Sequence, residues 1–345
     1  MTSLSKFTQA SISIVIVVAA LVYGKAFLIP LIFAFIFWIL IRRMKETLNR
    51  IRVIDKYVPN WVKNIFLTVV IFSLIYVIGS IISSNITRMI GRYDIYQTNF
   101  TSLVYKINDT FGIELDVFLK NTDVRMLLSN LIHPVVTVLT SMVGNVFLVL
   151  IYMLFLFLEE TNFNSKLRLV FTTEENHHRI SEILRELEYS ISDYLGVKTF
   201  VSFITGALSA IALLIIGVDA PVFWGLIIFL LNYVPTVGSL IATLFPVAFC
   251  LLQFPNLTPA VLTLIIVGSI QVVIGNVLEP KLVGNSMNLS ALVTILALSL
   301  WGIIWGVTGM ILSVPITVIM VIIFSKFEQT KGIAIMLSDK GELKG

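Results

Sequence analysis

Two short polar stretches interrupt the long apolar second half of the chain, and each is centred on a proline. The first reads Leu231-Asn232-Tyr233-Val234-Pro235-Thr236-Val237-Gly238-Ser239. The second reads Gly275-Asn276-Val277-Leu278-Glu279-Pro280-Lys281-Leu282-Val283-Gly284-Asn285. Each sets an asparagine ahead of the proline and a glycine behind it. Proline removes a backbone donor and crowds the carbonyl four residues back. In lipid, every peptide group so released costs several kcal/mol unless something satisfies it. The released groups must therefore meet protein, water or a solute. Paired breaks of this kind point to the solute site of a transporter. The candidate site residues are Asn232, Pro235, Gly238, Gly275, Asn276, Glu279, Pro280 and Gly284.

Glu279 is the sharpest of these. A carboxylate near the membrane core is costly and is by default a functional hypothesis, as a proton carrier or a cation ligand. The competing reading puts it at the cytoplasmic interface beside Lys281, where it merely pairs or caps. Asn232, Asn276 and Gln271 could bind a polar solute or hold helices together. Asp219, two residues before Pro221, reads as an exposed helix N-cap. Trp301-Gly302-Ile303-Ile304-Trp305-Gly306 carries a Gly-x-x-x-Gly spacing that suits close helix packing, with a gate as the alternative. Cys250, the single cysteine, lies in an apolar run and reads as a small buried hydrophobe; no intramolecular disulfide can form.

Several chemistries are excluded or disfavoured. Gly196-Val197-Lys198-Thr199 lacks the earlier glycine and the Gly-Lys pair of a phosphate-binding loop. There is no His-Glu-x-x-His zinc motif and no Gly-x-Ser-x-Gly elbow. No nucleophile–base pair, metal site or cofactor site is visible, so the chain does not read as an enzyme.

The elements that must position these residues follow from composition. Of 345 residues, 57% are hydrophobic and 13% charged. Soluble proteins carry about 25% charged residues, and no single core could hide this much apolar surface. The chain therefore reads as an all-α, polytopic integral membrane protein of eight to ten membrane segments, some broken or re-entrant. The net charge of +4 is no nucleic-acid signal, because the basic residues cluster at the ends of apolar runs.

Residues 1–41 read as an N-terminal membrane hairpin, retained rather than cleaved as a signal peptide. Residues 42–63 form a basic loop, hence cytoplasmic. A membrane helix follows (64–84), then an outer helical cap (85–133) with five basic and five acidic residues. Residues 134–158 form another membrane helix. Residues 159–198 are cytoplasmic and amphipathic, with a stripe of Ile180, Ile183, Leu184, Leu187, Ile191 and Leu195. Residues 199–325 hold only three charged residues, Asp219, Glu279 and Lys281, and form the membrane core. Residues 326–345 are a cytoplasmic tail, so both termini lie in the cytoplasm.

The first proline stretch (from Phe229), the second, and Trp301-Gly302 with Gly306, Gly309 and Ser313-Val314-Pro315 occur in an order that resembles the autoinducer-2 exporter family, also called PerM-like permeases. The resemblance covers nearly the whole chain. It implies a bacterial-type, multi-pass inner-membrane permease that exports the quorum-sensing signal autoinducer-2. It also implies a homo-oligomer, with a pentamer as one candidate. Some relatives are described as sodium (or lithium)/proton antiporters. The leading expectation is a transporter of a small polar solute, with Glu279 coupling flux to Na+ or H+. The alternatives are a cation/proton antiporter and a non-transporting membrane scaffold or regulator.

Overall fold

A computed structural model of the chain describes residues 3–112, 124–171, 173–283, 289–339 and 341. Every regular element among the described residues is helical. In chain order these are α1 (Ser3–Tyr23), α2 (Lys25–Asn49), α3 (Arg52–Tyr57), α4 (Asn60–Gly91), α5 (Tyr93–Phe111), α6 (Val124–Val170) and α7 (Glu174–Ile216). Then come α8 (Pro221–Leu231), α9 (Val237–Gln253), α10 (Thr258–Val273), α11 (Glu279–Val283), α12 (Ala291–Ser325) and α13 (Glu328–Leu337). Five described segments are long and apolar enough to cross a membrane: α2, α4, α7, Thr258–Leu282 and α12. Shorter apolar helices cover Ser11–Tyr23, Pro221–Leu231 and Val237–Gln253. The protein is an all-α polytopic membrane protein.

Helix α7 shows why lipid is the solvent. Its buried face carries Ser202, Thr205 and Ser209, while Phe200, Phe203, Ile211, Leu214 and Ile215 are exposed. Polar groups inside and apolar groups outside invert the soluble pattern. The helix is 43 residues long, about 64 Å, so its amphipathic first half extends beyond the hydrocarbon that its second half spans. The stripe expected between 159 and 198 and the first core segment are thus one continuous helix.

The chain divides into two compact units: residues 1–67, 141–193 and 287–345 form the first, and 68–140 and 194–286 the second. In the second unit α7 turns at Gly217, where φ is +84°, and α8 returns antiparallel to it. A methyl on Gly206 would stand 2.6 Å from the Gly225 carbonyl, so only glycine permits this helix approach. Without a hydrophobic drive between helices in lipid, such backbone-to-backbone packing is what holds them. Next, α9 folds back on α8, with Trp224 and Phe249 ring centres 5.2 Å apart. Tyr96 of α5 packs edge-on to Phe249 at 5.3 Å. At 11 residues α8 is about 16 Å long, half a bilayer, so it is too short to span the hydrocarbon alone and forms a hairpin with α9.

Asp219 is not a helix N-cap. Proline at the first position of α8 makes Ala220 the cap residue, and its side chain offers no oxygen. The Asp219 carboxylate instead accepts two bonds from Arg92 Nη1 (2.7 and 2.8 Å) and one from Tyr96 Oη (2.9 Å). Gln253 closes the same corner. Its Oε1 accepts from the Asp219 backbone N–H at 2.7 Å and its Nε2 donates to Gly217 O at 2.9 Å.

The first unit contains a second hairpin. Gly306 interrupts α12 with φ +63° and ψ −144°. A straight helix of 35 residues would separate its ends by about 52 Å. Yet Ser290 N donates to Leu337 O at 3.2 Å, and α13 spans only about 15 Å. The two arms of α12 must therefore reverse at Gly306. Trp305 Nε1 ties the turn to Leu21 O of α1 at 2.9 Å. Elsewhere in this unit Arg42 of α2 pairs with Glu160 and Glu188, and Lys326 pairs with Glu186 at 2.8 Å.

Candidate functional site

The Pro235 stretch forms the tip of the α8–α9 hairpin. Its backbone groups largely satisfy one another: Tyr233 N–H donates to Leu230 O (3.3 Å), Val234 N–H to Leu231 O (2.9 Å) and Gly238 N–H to Val234 O (3.2 Å). Thr236 takes φ +57°, the left-handed region that side chains resist. Gly238 is buried, and a methyl there would overlap the Leu231 carbonyl. At this turn the released peptide groups therefore meet protein rather than water or a solute, and the turn closes on itself.

The Pro280 stretch behaves differently. No break in the chain occurs: Ile274–Leu278 widens into a single π-turn and the helix continues as α11. In an α-helix the residue at 280 would donate to Asn276 O, and proline cannot. The extra residue in the turn accommodates this, with Glu279 N–H bonding back to Ile274 O. Such bulges recur at functional sites. Gly275 and Asn276 are exposed, and Gly284 lies outside the described residues.

Both stretches converge on one segment of α7, residues 194–202, within the second unit. Asn232 is buried and donates to Ser202 Oγ at 3.1 Å. The Tyr233 hydroxyl lies 2.7 Å from Thr199 Oγ1. Glu279 Oε1 accepts from Lys198 Nζ in a direct ion pair. Buried Tyr194 lies within electrostatic reach of both Glu279 and Tyr233. Glu279 thus sits beside the first stretch, and its partner is Lys198, not Lys281.

The pair is asymmetric. Lys198 is only 4% exposed, whereas the Glu279 side chain keeps 23% of its surface open. Removing one member of a buried pair strands the other charge, at a cost of about 3–5 kcal/mol. Gln271 is also buried here, and its side-chain nitrogen has no hydrogen-bond partner. Cys250 against Thr263 (3.3 Å) and Thr243 beside Gly268 set the antiparallel register of α9 and α10. That register puts Gln271 level with the start of α9, next to the hairpin tip. Cys250 is a buried, hydrogen-bonded thiol, as its setting in the sequence suggests.

Sequence reasoning missed Lys198, Tyr194 and Ser202. Two signals for them were present. Lys198 ends the amphipathic stripe, where a lysine facing inward breaks the pattern. Ser202, Gly206 and Ala210 recur every four residues, the spacing of a close helix contact. No group of three or more histidine, cysteine or acidic side chains among the described residues could hold a metal.

Known proteins resemble the chain across this whole arrangement. The AI-2 transport protein TqsA of Escherichia coli (strain K12) is 29% identical over 94% of this chain and 93% of its own length. A protein of Borreliella burgdorferi named only as a candidate transport protein is 30% identical over 73% of this chain and 70% of its own. One of Haemophilus influenzae, named in the same way, is 29% identical over 84% and 85%. The model of the AI-2E family of transporters matches residues 11–329. Its span takes in both hairpins, the Lys198–Glu279 pair and the π-turn, and the chain belongs to that family of membrane transporters.

Proposed function

We propose that this membrane transporter carries a small polar solute through the site at the α8–α9 tip, with autoinducer-2 as the leading candidate. The observation that carries the reading is the Lys198–Glu279 pair, set against the polar hairpin tip in an otherwise apolar core. A buried ion pair is a poor way to gain stability, so its presence argues for use. In this reading Asn232, Asn276 and Gln271 offer hydrogen bonds to the solute. Pro235, Gly238, Gly275, Pro280 and Gly284 shape the two walls, and Glu279 couples flux to Na+ or H+. The protein works as a homo-oligomer, with both termini in the cytoplasm. Autoinducer-2 enters through the name of the TqsA relative.

The same pair favours a second reading, sodium/proton exchange, because Glu279 is an ionisable group with partial solvent access. One assay separates the two. The purified protein is reconstituted in liposomes, and autoinducer-2 flux is compared with sodium flux, with and without a proton gradient. Solute flux that depends on the gradient supports the first reading. Sodium-dependent proton flux without solute supports the second. Flux of neither, or Glu279→Gln flux equal to the unmodified protein across pH, overturns both.

A further inference from the structure

The asymmetry of the ion pair carries an inference about the class of solute. We propose that Lys198 is the docking point for a small organic carboxylate, and that Glu279 occupies its place when the site is empty. This rests on the transport reading for its biological use, though not for its test, and it puts a carboxylate in place of autoinducer-2, which carries none, as the class of solute.

Lys198 is buried, and Glu279 is the partner whose oxygen holds it. A neutral solute entering between them would strand a cation with almost no access to water, and nothing would offset that loss. A solute that brings its own carboxylate replaces one anion with another and leaves Lys198 paired. Exposure decides which partner leaves. Glu279 reaches solvent and can be rehydrated as it swings away, whereas Lys198 cannot. The occupant already in place is itself a carboxylate, a tethered stand-in for the ligand's own head group. Around it, Thr199 and Tyr233 bring two hydroxyls together at 2.7 Å, and Tyr194 lies close by. Those hydroxyls suit the second carboxylate oxygen or a neighbouring hydroxyl of the solute. A bulky anion such as phosphate has no such stand-in, so the carboxylate is the favoured class.

The test removes the stand-in and supplies it from outside. In detergent-purified Glu279→Ala, acetate or formate should raise the melting temperature saturably, by about 5 °C at a hundred times the dissociation constant. Acetamide should not, inorganic phosphate should do so weakly at most, and the double variant Lys198→Met/Glu279→Ala should not respond. Glu279→Gln serves as the milder variant. If neither folds, the unmodified protein is melted with lactate or lactamide and compared with Lys198→Met; lactate alone should shift it, and only when Lys198 is present. Equal effects of acetate and acetamide, a response that survives loss of Lys198, or no carboxylate response overturns the proposal. Because this readout is binding, it fails independently of the flux assay. Solute flux with no carboxylate response removes the anion site and leaves the transporter.

Discussion

Each unit of the molecule contains a helical hairpin whose turn packs a glycine against a backbone carbonyl, and the two are built alike at the turn but differ in what touches it. In both, a glycine lies against the carbonyl of a residue in the preceding arm: Gly238 against Leu231, Gly309 against Trp301. In both, a residue of positive φ makes the reversal, Thr236 in one and Gly306 in the other. The first tip is bound by polar side chains, through Asn232 to Ser202 and Tyr233 to Thr199, next to the Lys198–Glu279 pair. The second is apolar: the Trp301 and Trp305 rings lie 5.1 Å apart and tilted by 41°, Gly302 meets Met310, and one indole N–H reaches a backbone carbonyl. The comparison separates construction from chemistry. Tight glycine packing makes a hairpin, and the polar side chains at the tip mark which one is the candidate site.

The largest effects should be shared by both hairpins. Gly238→Ala and Gly309→Ala each push a methyl into a backbone carbonyl that cannot move without opening the turn. Each should cost about 3 kcal/mol or more, read as a lower melting temperature in detergent. If one variant melts like the unmodified protein, the common construction is wrong.

Next comes the pair that only one tip possesses. Glu279→Gln leaves Lys198 buried without its partner and should lose about 3 kcal/mol, while Lys198→Met/Glu279→Gln should recover most of it. Both should lose gradient-dependent flux. A double variant that transports normally would reduce the polar tip to scaffolding.

A smaller pair of substitutions sharpens the contrast. Asn232→Ala and Trp305→Phe each remove one tip hydrogen bond and should cost about 1 kcal/mol apiece. Flux should fall about tenfold in the first and hold in the second. Equal flux losses would erase the difference between the tips.

The smallest effect lies at the base of the α8–α9 hairpin. Burial, then the hydrogen bond to Asp219, pushes the Tyr96 phenol above its ordinary value of about 10. The unfolded chain therefore loses this proton at lower pH than the folded one. The contribution is complete below about pH 10 and declines as pH rises beyond it. Tyr96→Phe should flatten that alkaline decline in a pH series of melting curves, while costing about 1 kcal/mol at neutral pH.

Much of this was legible in the sequence, for local reasons. The runs Val222–Leu231, Val237–Phe254, Ala291–Ile304 and Val307–Phe324 stand out because proline, glycine and polar residues punctuate them. They closely match α8, α9 and the two arms of α12. Hydropathy reports the thickness of the apolar slab, not the ends of helices. That is why α6 and α7 run well past the segments it marks. The partner of Glu279 was hidden for another reason: Lys198 is 81 residues away, and nothing local encodes the register of α7 against α11. Asp219 misled because a carboxylate before a proline resembles a cap until Arg92 and Tyr96 are known to reach it.

The π-turn has a geometric consequence. One α-helical residue turns the chain by about 100°. The surplus residue between Ile274 and Leu278 therefore sets the compass bearing of everything after it. Deleting Val277 together with Pro280→Ala would restore ordinary pitch and rotate the Glu279 carboxylate about a quarter-turn off its lysine. The proline that forbids the ordinary pitch is thus what keeps the carboxylate aimed.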